Sequence, residues 1–87
     1  MEEQIIFKAS AFKHGIAEAD IRNAFERRML DNALPGEENK NLLLGLARDA
    51  SLLEVMYNVL DGDVINVFHA MKCRKAYHVL LKARRSG

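Results

Sequence analysis

The succession of apolar and polar positions along the chain predicts a small fold that mixes strands and helices. Residues 4–9 hold three consecutive apolar side chains before any turn residue, which suits a short strand. Residues 16–28 carry apolar side chains at helical spacing, and Glu18 and Asp20 lie where the positive end of the helix dipole favours acidic groups. The first predicted elements are therefore a strand and then a helix.

A turn-rich segment at residues 31–40 follows the predicted helix. It is rich in asparagine, aspartate, proline and glycine, which favour turns. Residues 41–47 form an almost continuous leucine run around Gly45, which is typical of a strand covered on both faces. Residues 48–51 supply a polar turn. With 87 residues in total the chain is too short for a second core, so we expect one domain spanning residues 1–87.

Two further strands are predicted to form a hairpin. Residues 53–59 alternate between apolar and polar side chains, which places Glu54 on the face opposite the apolar set. Asp61 and Gly62 favour a two-residue turn, and residues 63–70 continue as the paired strand. Together with the leucine run, this pattern predicts a meander of three antiparallel strands.

An amphipathic helix is predicted to begin near Met71, with Lys75, His78 and Lys82 around its polar side. Strands flanked by helices, without regular strand–helix–strand alternation, indicate an α+β fold. We expect an antiparallel sheet of three to four strands packed with an N-terminal and a C-terminal helix. The predicted apolar stripe of the last helix consists of Cys73, Ala76, Tyr77, Leu80 and Leu81.

The net charge of +1 conceals a strong asymmetry along the chain. Residues 1–70 carry 7 Lys and Arg against 12 Asp and Glu, whereas residues 71–87 carry 6 Lys and Arg and no acidic residue. A basic segment after an acidic body is typical of a protein that binds a polyanion such as RNA or DNA. The alternative is a solvated helix face with a basic tail.

Cysteine usage and hydropathy favour a cytoplasmic protein that does not act at a membrane. Cys73 is the single cysteine, so neither an internal disulfide nor a paired-cysteine zinc site can form. No apolar stretch is long enough to cross a bilayer. The spacing of Cys73, His14, His69 and His78 does not match zinc-binding patterns. We therefore expect neither a metal nor another cofactor.

Several residues are suited to cleaving RNA through the ribose 2′-hydroxyl, a reaction that needs a base, an acid and cations near the phosphate. His69 lies at the end of the last predicted strand, and His14 follows Lys13 beside Gly15, which can adopt the positive φ of a bend. Glu54 is a further acid or base candidate. Each histidine has a structural alternative: a single hydrogen bond at a sheet edge for His69, and a turn cap for His14. The phosphate-binding candidates are Lys13, Lys72 and Arg74.

Short motifs over most of the chain, from about Lys13 to Tyr77, resemble the BrnT toxins, a family in the wider RelE/ParE group of bacterial toxin–antitoxin systems. Where that family carries serine, alanine, arginine and lysine in succession, this chain has His69-Ala70-Met71-Lys72, so the arginine's role would fall to Arg74. The tryptophan common near the start of the family is missing. The motifs are Lys13-His14-Gly15-Ile16, Ala19-Asp20, Ala24-Phe25, Leu44-Gly45-Leu46, Leu52-Leu53-Glu54-Val55-Met56-Tyr57 and Val64-Ile65-Asn66-Val67-Phe68-His69-Ala70-Met71-Lys72.

The resemblance implies a ribonuclease toxin that stops translation by cutting RNA, on or off the ribosome, and is neutralised by a DNA-binding antitoxin protein. It places the family's lysine-histidine-glycine element on Lys13, His14 and Gly15. It places the family's basic stretch after the last strand on Lys72, Arg74 and Lys75, which adds Lys75 to the phosphate-binding candidates. Whether the chain forms a homodimer or a toxin–antitoxin heterotetramer is left open. Two other functions also remain open: a non-catalytic nucleic-acid- or protein-binding module that uses the basic C-terminal helix, and an interaction subunit whose basic helix docks onto an acidic partner.

Overall fold

A five-stranded sheet with one helix on each face forms the framework of the computed structural model, which describes the backbone of residues 4–86 and the side chains of residues 4–82. The side chains of Arg84 and Arg85, part of the basic segment, lie outside these described residues. Neither helix within residues 4–86 has the length and apolar character needed to span a membrane. In chain order the elements are β1 (Ile5–Phe7), α1 (Glu18–Glu26), β2 (Arg28–Ala33), β3 (Asn41–Leu46), β4 (Leu52–Leu60), β5 (Val64–Lys72) and α2 (Lys75–Ser86).

The strands lie in the order β1-β5-β4-β3-β2. The central β3, β4 and β5 form the predicted antiparallel meander, and the α+β class is confirmed. The expectation of three to four strands was wrong, because β2 adds a fifth strand at one edge. Strand β1 closes the other edge by pairing parallel to β5, with Ile5 opposite Ile65, so the sheet is not purely antiparallel.

Strand β2 lies where the sequence predicts the end of a helix and a turn. Helix α1 ends at Glu26, and the chain enters the sheet at once, with Leu30 opposite Leu44 and buried on the same face. Asp31, counted as a turn residue, accepts a hydrogen bond of 2.5 Å from the Tyr57 hydroxyl. Pairing and burial in the folded sheet outweigh the weak strand propensity of this segment.

Two boundaries in the second half also differ from the prediction. Residues Asp61–Asp63 form a single turn of 3-10 helix, in place of a two-residue hairpin turn, with Gly62 and Asp63 at φ of 79° and 61°. Strand β5 runs on to Lys72, which pairs with Leu53, so α2 begins at Lys75 and not near Met71. Ladder pairing with β4 extends the strand beyond the point where its alternating pattern ends.

The two helices cover opposite faces of the sheet. The α1 face contains Ile21, Ala24 and Phe25 of the helix, packed on side chains of the three central strands. On the α2 face, Tyr77 and Leu81 pack against leucines of β2 and β3. The leucine run is therefore covered on both faces, as predicted, although Ala76 and Leu80 of the predicted stripe are exposed. The buried leucines of the α2 face are Leu30, Leu42 and Leu44.

Candidate functional site

A β-bulge in β5 decides which face of the sheet His69 occupies. Val67 lies opposite Tyr57, and His69 lies opposite Met56, so Phe68 is an extra residue with no partner in β4. Strict alternation from Val67 would place His69 on the α1 face, because side chains two residues apart share a face. The bulge shifts that phase and brings His69 to the α2 face, which it shares with Glu54.

A short 3-10 helix, Ala9–Phe12, brings His14 to the same place. It is fastened to the bulge, because the Ser10 hydroxyl donates to the Phe68 carbonyl oxygen at 2.7 Å. Gly15 follows with a φ of 78°, the positive value that the sequence allowed for. As a result the rings of His14 and His69 meet edge to face, with centroids 5.5 Å apart.

Glu54 connects His69 to the segment that leads into α2. Its side chain is 0% exposed, yet its carboxylate accepts four hydrogen bonds. Oε1 accepts from the backbone N–H and from Nε of Arg74, both at 3.0 Å. Oε2 accepts from Nη2 of Arg74 at 2.7 Å and contacts Nε2 of His69 at 2.9 Å. We call His14, Glu54, His69 and Arg74 the His69 cluster.

The Glu54 carboxylate stays ionised despite its burial. Desolvation alone would raise its pKa, but the hydrogen bonds from Arg74 and His69 outweigh that effect and hold the pKa below its usual range. The same pairing raises the pKa of Arg74 above its already high value. The Arg74 side chain remains 53% exposed and lies over the ring of Tyr77, so one side of the guanidinium still faces solvent.

The lysines predicted to bind phosphate occupy different positions around the His69 cluster. Lys13 is exposed beside His14, and Lys75 is exposed in the first turn of α2, next to Arg74. Lys72 pairs with Leu53, which is buried on the α1 face, so Lys72 lies on the face opposite His69. The structure thus brings Glu54, His69, His14 and Arg74 together, keeps Lys13 and Lys75 adjacent to them in the chain, and separates Lys72.

Cys73 and the third histidine are not suited to chemistry at this position. Burial, followed by the charge of Glu54, raises the pKa of the Cys73 thiol against the opposing effect of Arg74, so the reactive thiolate is disfavoured. His78 Nε2 donates to the Cys73 carbonyl oxygen at 3.1 Å. Among the described residues, no three His, Cys, Asp or Glu side chains lie close enough to hold a metal ion.

Sequence reasoning missed the two residues that assemble this site. Phe68 has no side-chain property that distinguishes a bulge from a regular strand position, and Ser10 looks like any polar turn residue. The sequence shows Ser10 four residues before His14. It does not show that the Ser10 hydroxyl bonds to the Phe68 carbonyl oxygen on β5. A signal would have required knowledge that the first strand pairs with the last one.

Comparison with known proteins places this architecture among solved structures. No protein-family model and no curated protein sequence matches the chain. The crystal structure of the Brucella abortus ribonuclease toxin BrnT superposes with a TM-score of 0.61 and 16% sequence identity, covering 85% of this chain and 100% of that one. The chain is therefore similar in fold to the Brucella abortus ribonuclease toxin BrnT.

Proposed function

We propose that this protein is an endoribonuclease toxin of the BrnT type, within the RelE/ParE group, which cleaves RNA to inhibit translation and is neutralised by a cognate antitoxin protein. One observation carries the proposal. His14 and His69, from opposite ends of the chain, meet with ring centroids 5.5 Å apart. This pair lies on a fold similar to that of a ribonuclease toxin.

Two neighbouring imidazoles supply the proton transfers that RNA cleavage requires. The ribose O2′ attacks the phosphorus, and the bond from phosphorus to O5′ breaks. One imidazole takes the proton from the 2′-hydroxyl, while the other donates a proton to the departing O5′. The products are a 2′,3′-cyclic phosphate and a free 5′-hydroxyl, and the step balances with the two imidazoles as the acid and the base.

Cationic side chains around the pair would stabilise charge on the phosphate. Arg74 is half exposed and shares the Glu54 carboxylate with His69, and the exposed Lys13 and Lys75 are the chain neighbours of His14 and Arg74. Such groups act most strongly on charge that develops during the reaction. We assign Lys72, on the other face, only to long-range attraction of RNA, which falls with added salt.

Replacement of each histidine tests the proposal. The purified wild-type protein should cleave labelled single-stranded RNA, and its induced expression should arrest bacterial growth. His14→Ala and His69→Ala should each lower the cleavage rate by roughly 10²–10⁴-fold, the usual contribution of a general acid or base. His78→Ala is the matched control, because His78 is exposed and bonded to a carbonyl oxygen away from the pair. Cleavage by both histidine variants at the wild-type rate would refute the assignment.

A second candidate function is a non-catalytic binding module for nucleic acid or protein. Helix α2 favours it, because the helix exposes Lys75 and Lys82 together with Val79, which is 58% exposed. This function predicts RNA or DNA binding that weakens steeply with salt and no cleavage at any concentration. Co-purification with the product of the adjacent gene tests for the antitoxin: a stable complex favours the toxin, whether 1:1 or a heterotetramer.

A further inference from the structure

Glu54 cannot itself exchange protons with a substrate. Its side chain is 0% exposed, and both carboxylate oxygens are occupied by donors from Arg74 and His69. Replacing these donors by a substrate would leave a buried charge without partners, which is strongly unfavourable. Glu54 therefore acts through the side chains that it binds, His69 and Arg74.

The contact between Glu54 and His69 fixes where the imidazole carries its proton. An ionised carboxylate only accepts hydrogen bonds, so Nε2 of His69 must be the protonated nitrogen that donates to Oε2. In a neutral imidazole the other nitrogen, Nδ1, then holds a free lone pair. Within the described side chains, Nδ1 of His69 accepts no hydrogen bond.

We infer that Glu54 is a positioning residue that holds His69 in its Nε2–H tautomer, so that Nδ1 is the nitrogen that takes the 2′-hydroxyl proton and His14 is the acid that protonates O5′. The inference concerns the site of the proposed ribonuclease, and its catalytic part rests on that function. A carboxylate that orients an imidazole base in this way is a recurring device in enzymes.

Arg74 both donates hydrogen bonds to the Glu54 carboxylate and balances its negative charge. Its backbone N–H, Nε and Nη2 all donate to Glu54, and its remaining N–H groups stay available to other acceptors. The charged groups that face His69 are Glu54 from β4 and Arg74 from the segment before α2. The titratable His14, which follows the 3-10 helix, also faces it. Because Arg74 balances the charge of Glu54, the buried carboxylate can remain ionised.

A Glu54→Gln variant should reverse the tautomer. All three Arg74 groups are donors. Two of them lie at the Oε1 position and favour the amide oxygen there, while the third, Nη2, loses its acceptor at the Oε2 position. Placing the Gln oxygen there turns its NH₂ group toward His69, whose Nε2 must then accept. We therefore expect His69 to change from the Nε2–H form to the Nδ1–H form.

Long-range ¹H–¹⁵N correlation spectra read the tautomer directly in the alkaline range where imidazoles are neutral. Wild-type His69 should show a protonated Nε2, and Glu54→Gln should show a protonated Nδ1. His78 is an internal control, because its Nε2 donates to the Cys73 carbonyl oxygen and not to Glu54, so its tautomer should be the same in both proteins. Asp20→Asn is the matched control for the loss of a carboxylate, since Asp20 pairs with Arg48 and belongs to α1, which packs on the face of the sheet opposite His69. Its His69 signals should match the wild type.

The wild-type spectrum decides the first part of the inference even where Glu54→Gln does not fold. A wild-type His69 protonated at Nδ1, or an equal mixture of both tautomers, would overturn it. An unchanged tautomer in a folded Glu54→Gln protein would overturn it as well. Neither result depends on RNA cleavage, so failure of the inference and failure of the proposed function are distinguishable.

Kinetics test the catalytic part. Glu54→Gln should lower kcat by roughly 10²–10⁴-fold with little change in KM, because the loss lies in orientation and not in binding. An RNA with sulfur in place of the bridging O5′ has a leaving group that needs no acid. On this substrate His14→Ala should recover most of its activity, whereas His69→Ala and Glu54→Gln should not. Recovery by His69→Ala instead would exchange the two roles and refute the assignment.

Discussion

Gly45 provides a sharp test of how α1 is seated on the sheet. A Cβ atom added at Gly45 would lie 2.1 Å from the Ala24 carbonyl oxygen and 2.8 and 2.9 Å from two further backbone atoms of Ala24. Ordinary contact begins at 3.4 Å, so Gly45→Ala forces the helix and strand apart by about 1.3 Å, the difference between 3.4 and 2.1 Å. These are helix backbone atoms, which cannot rotate away as a side chain would.

We expect Gly45→Ala to lower the free energy of unfolding by about 3 kcal/mol, the upper part of the range for overpacked cores. This is a large share of the roughly 4–13 kcal/mol expected for a domain of this size. Urea unfolding followed by far-UV circular dichroism measures the loss. Gly36→Ala is the control: its Cβ meets nothing within 4 Å, but its φ of 76° costs a side chain about 1–2 kcal/mol. An equal or smaller loss for Gly45→Ala would refute the described helix contact.

Three further outcomes follow from the packing and the charges. Ser10→Ala removes the hydrogen bond to the Phe68 carbonyl oxygen and should cost about 1 kcal/mol of stability. The rate of RNA cleavage should fall as well, because His14 is less firmly held, and cleavage at the wild-type rate would contradict this. Leu44→Ala should cost about 2–5 kcal/mol, because Leu44 is fully buried under α2; a loss below about 1 kcal/mol in urea unfolding would contradict that packing. Ionised Glu54 has a folded-state pKa below its ordinary 4.5, so it stabilises the fold above pH 4.5, and this stability disappears as the pH falls through the lowered pKa. Glu54→Gln should therefore reduce the acid sensitivity of unfolding, and identical pH profiles for the two proteins would refute the effect.

Local patterns predicted the elements whose side chains repeat regularly. The helical spacing around Ile21 and Phe25 indicated α1, and the alternation along residues 53–59 indicated β4. Strand β2 was not predictable, because Asp31 and Asn32 favour turns and only pairing with β3 makes them extended. The parallel pairing of β1 with β5 was also hidden, since it joins the two ends of the chain.

The site was predictable as a set of residues but not as a geometry. His14, Glu54, His69 and Arg74 were all selected from the sequence for the chemistry of their side chains. Strict alternation places Glu54 and His69 on opposite faces, and only the bulge at Phe68 brings them together. The burial of the Glu54 carboxylate and its pairing with the Arg74 guanidinium could not be read from local patterns, because they depend on how β4 and the segment before α2 meet in the fold.

The hydrogen bond from Ser10 to Phe68 spans 58 residues, and β1 pairs only with β5, the last strand in the part of the chain that the structure describes. A chain still emerging from the ribosome therefore cannot bring His14 and His69 together until β5 has been translated. Contacts between distant residues also slow folding, because the entropy of loop closure must be overcome before the contacts form.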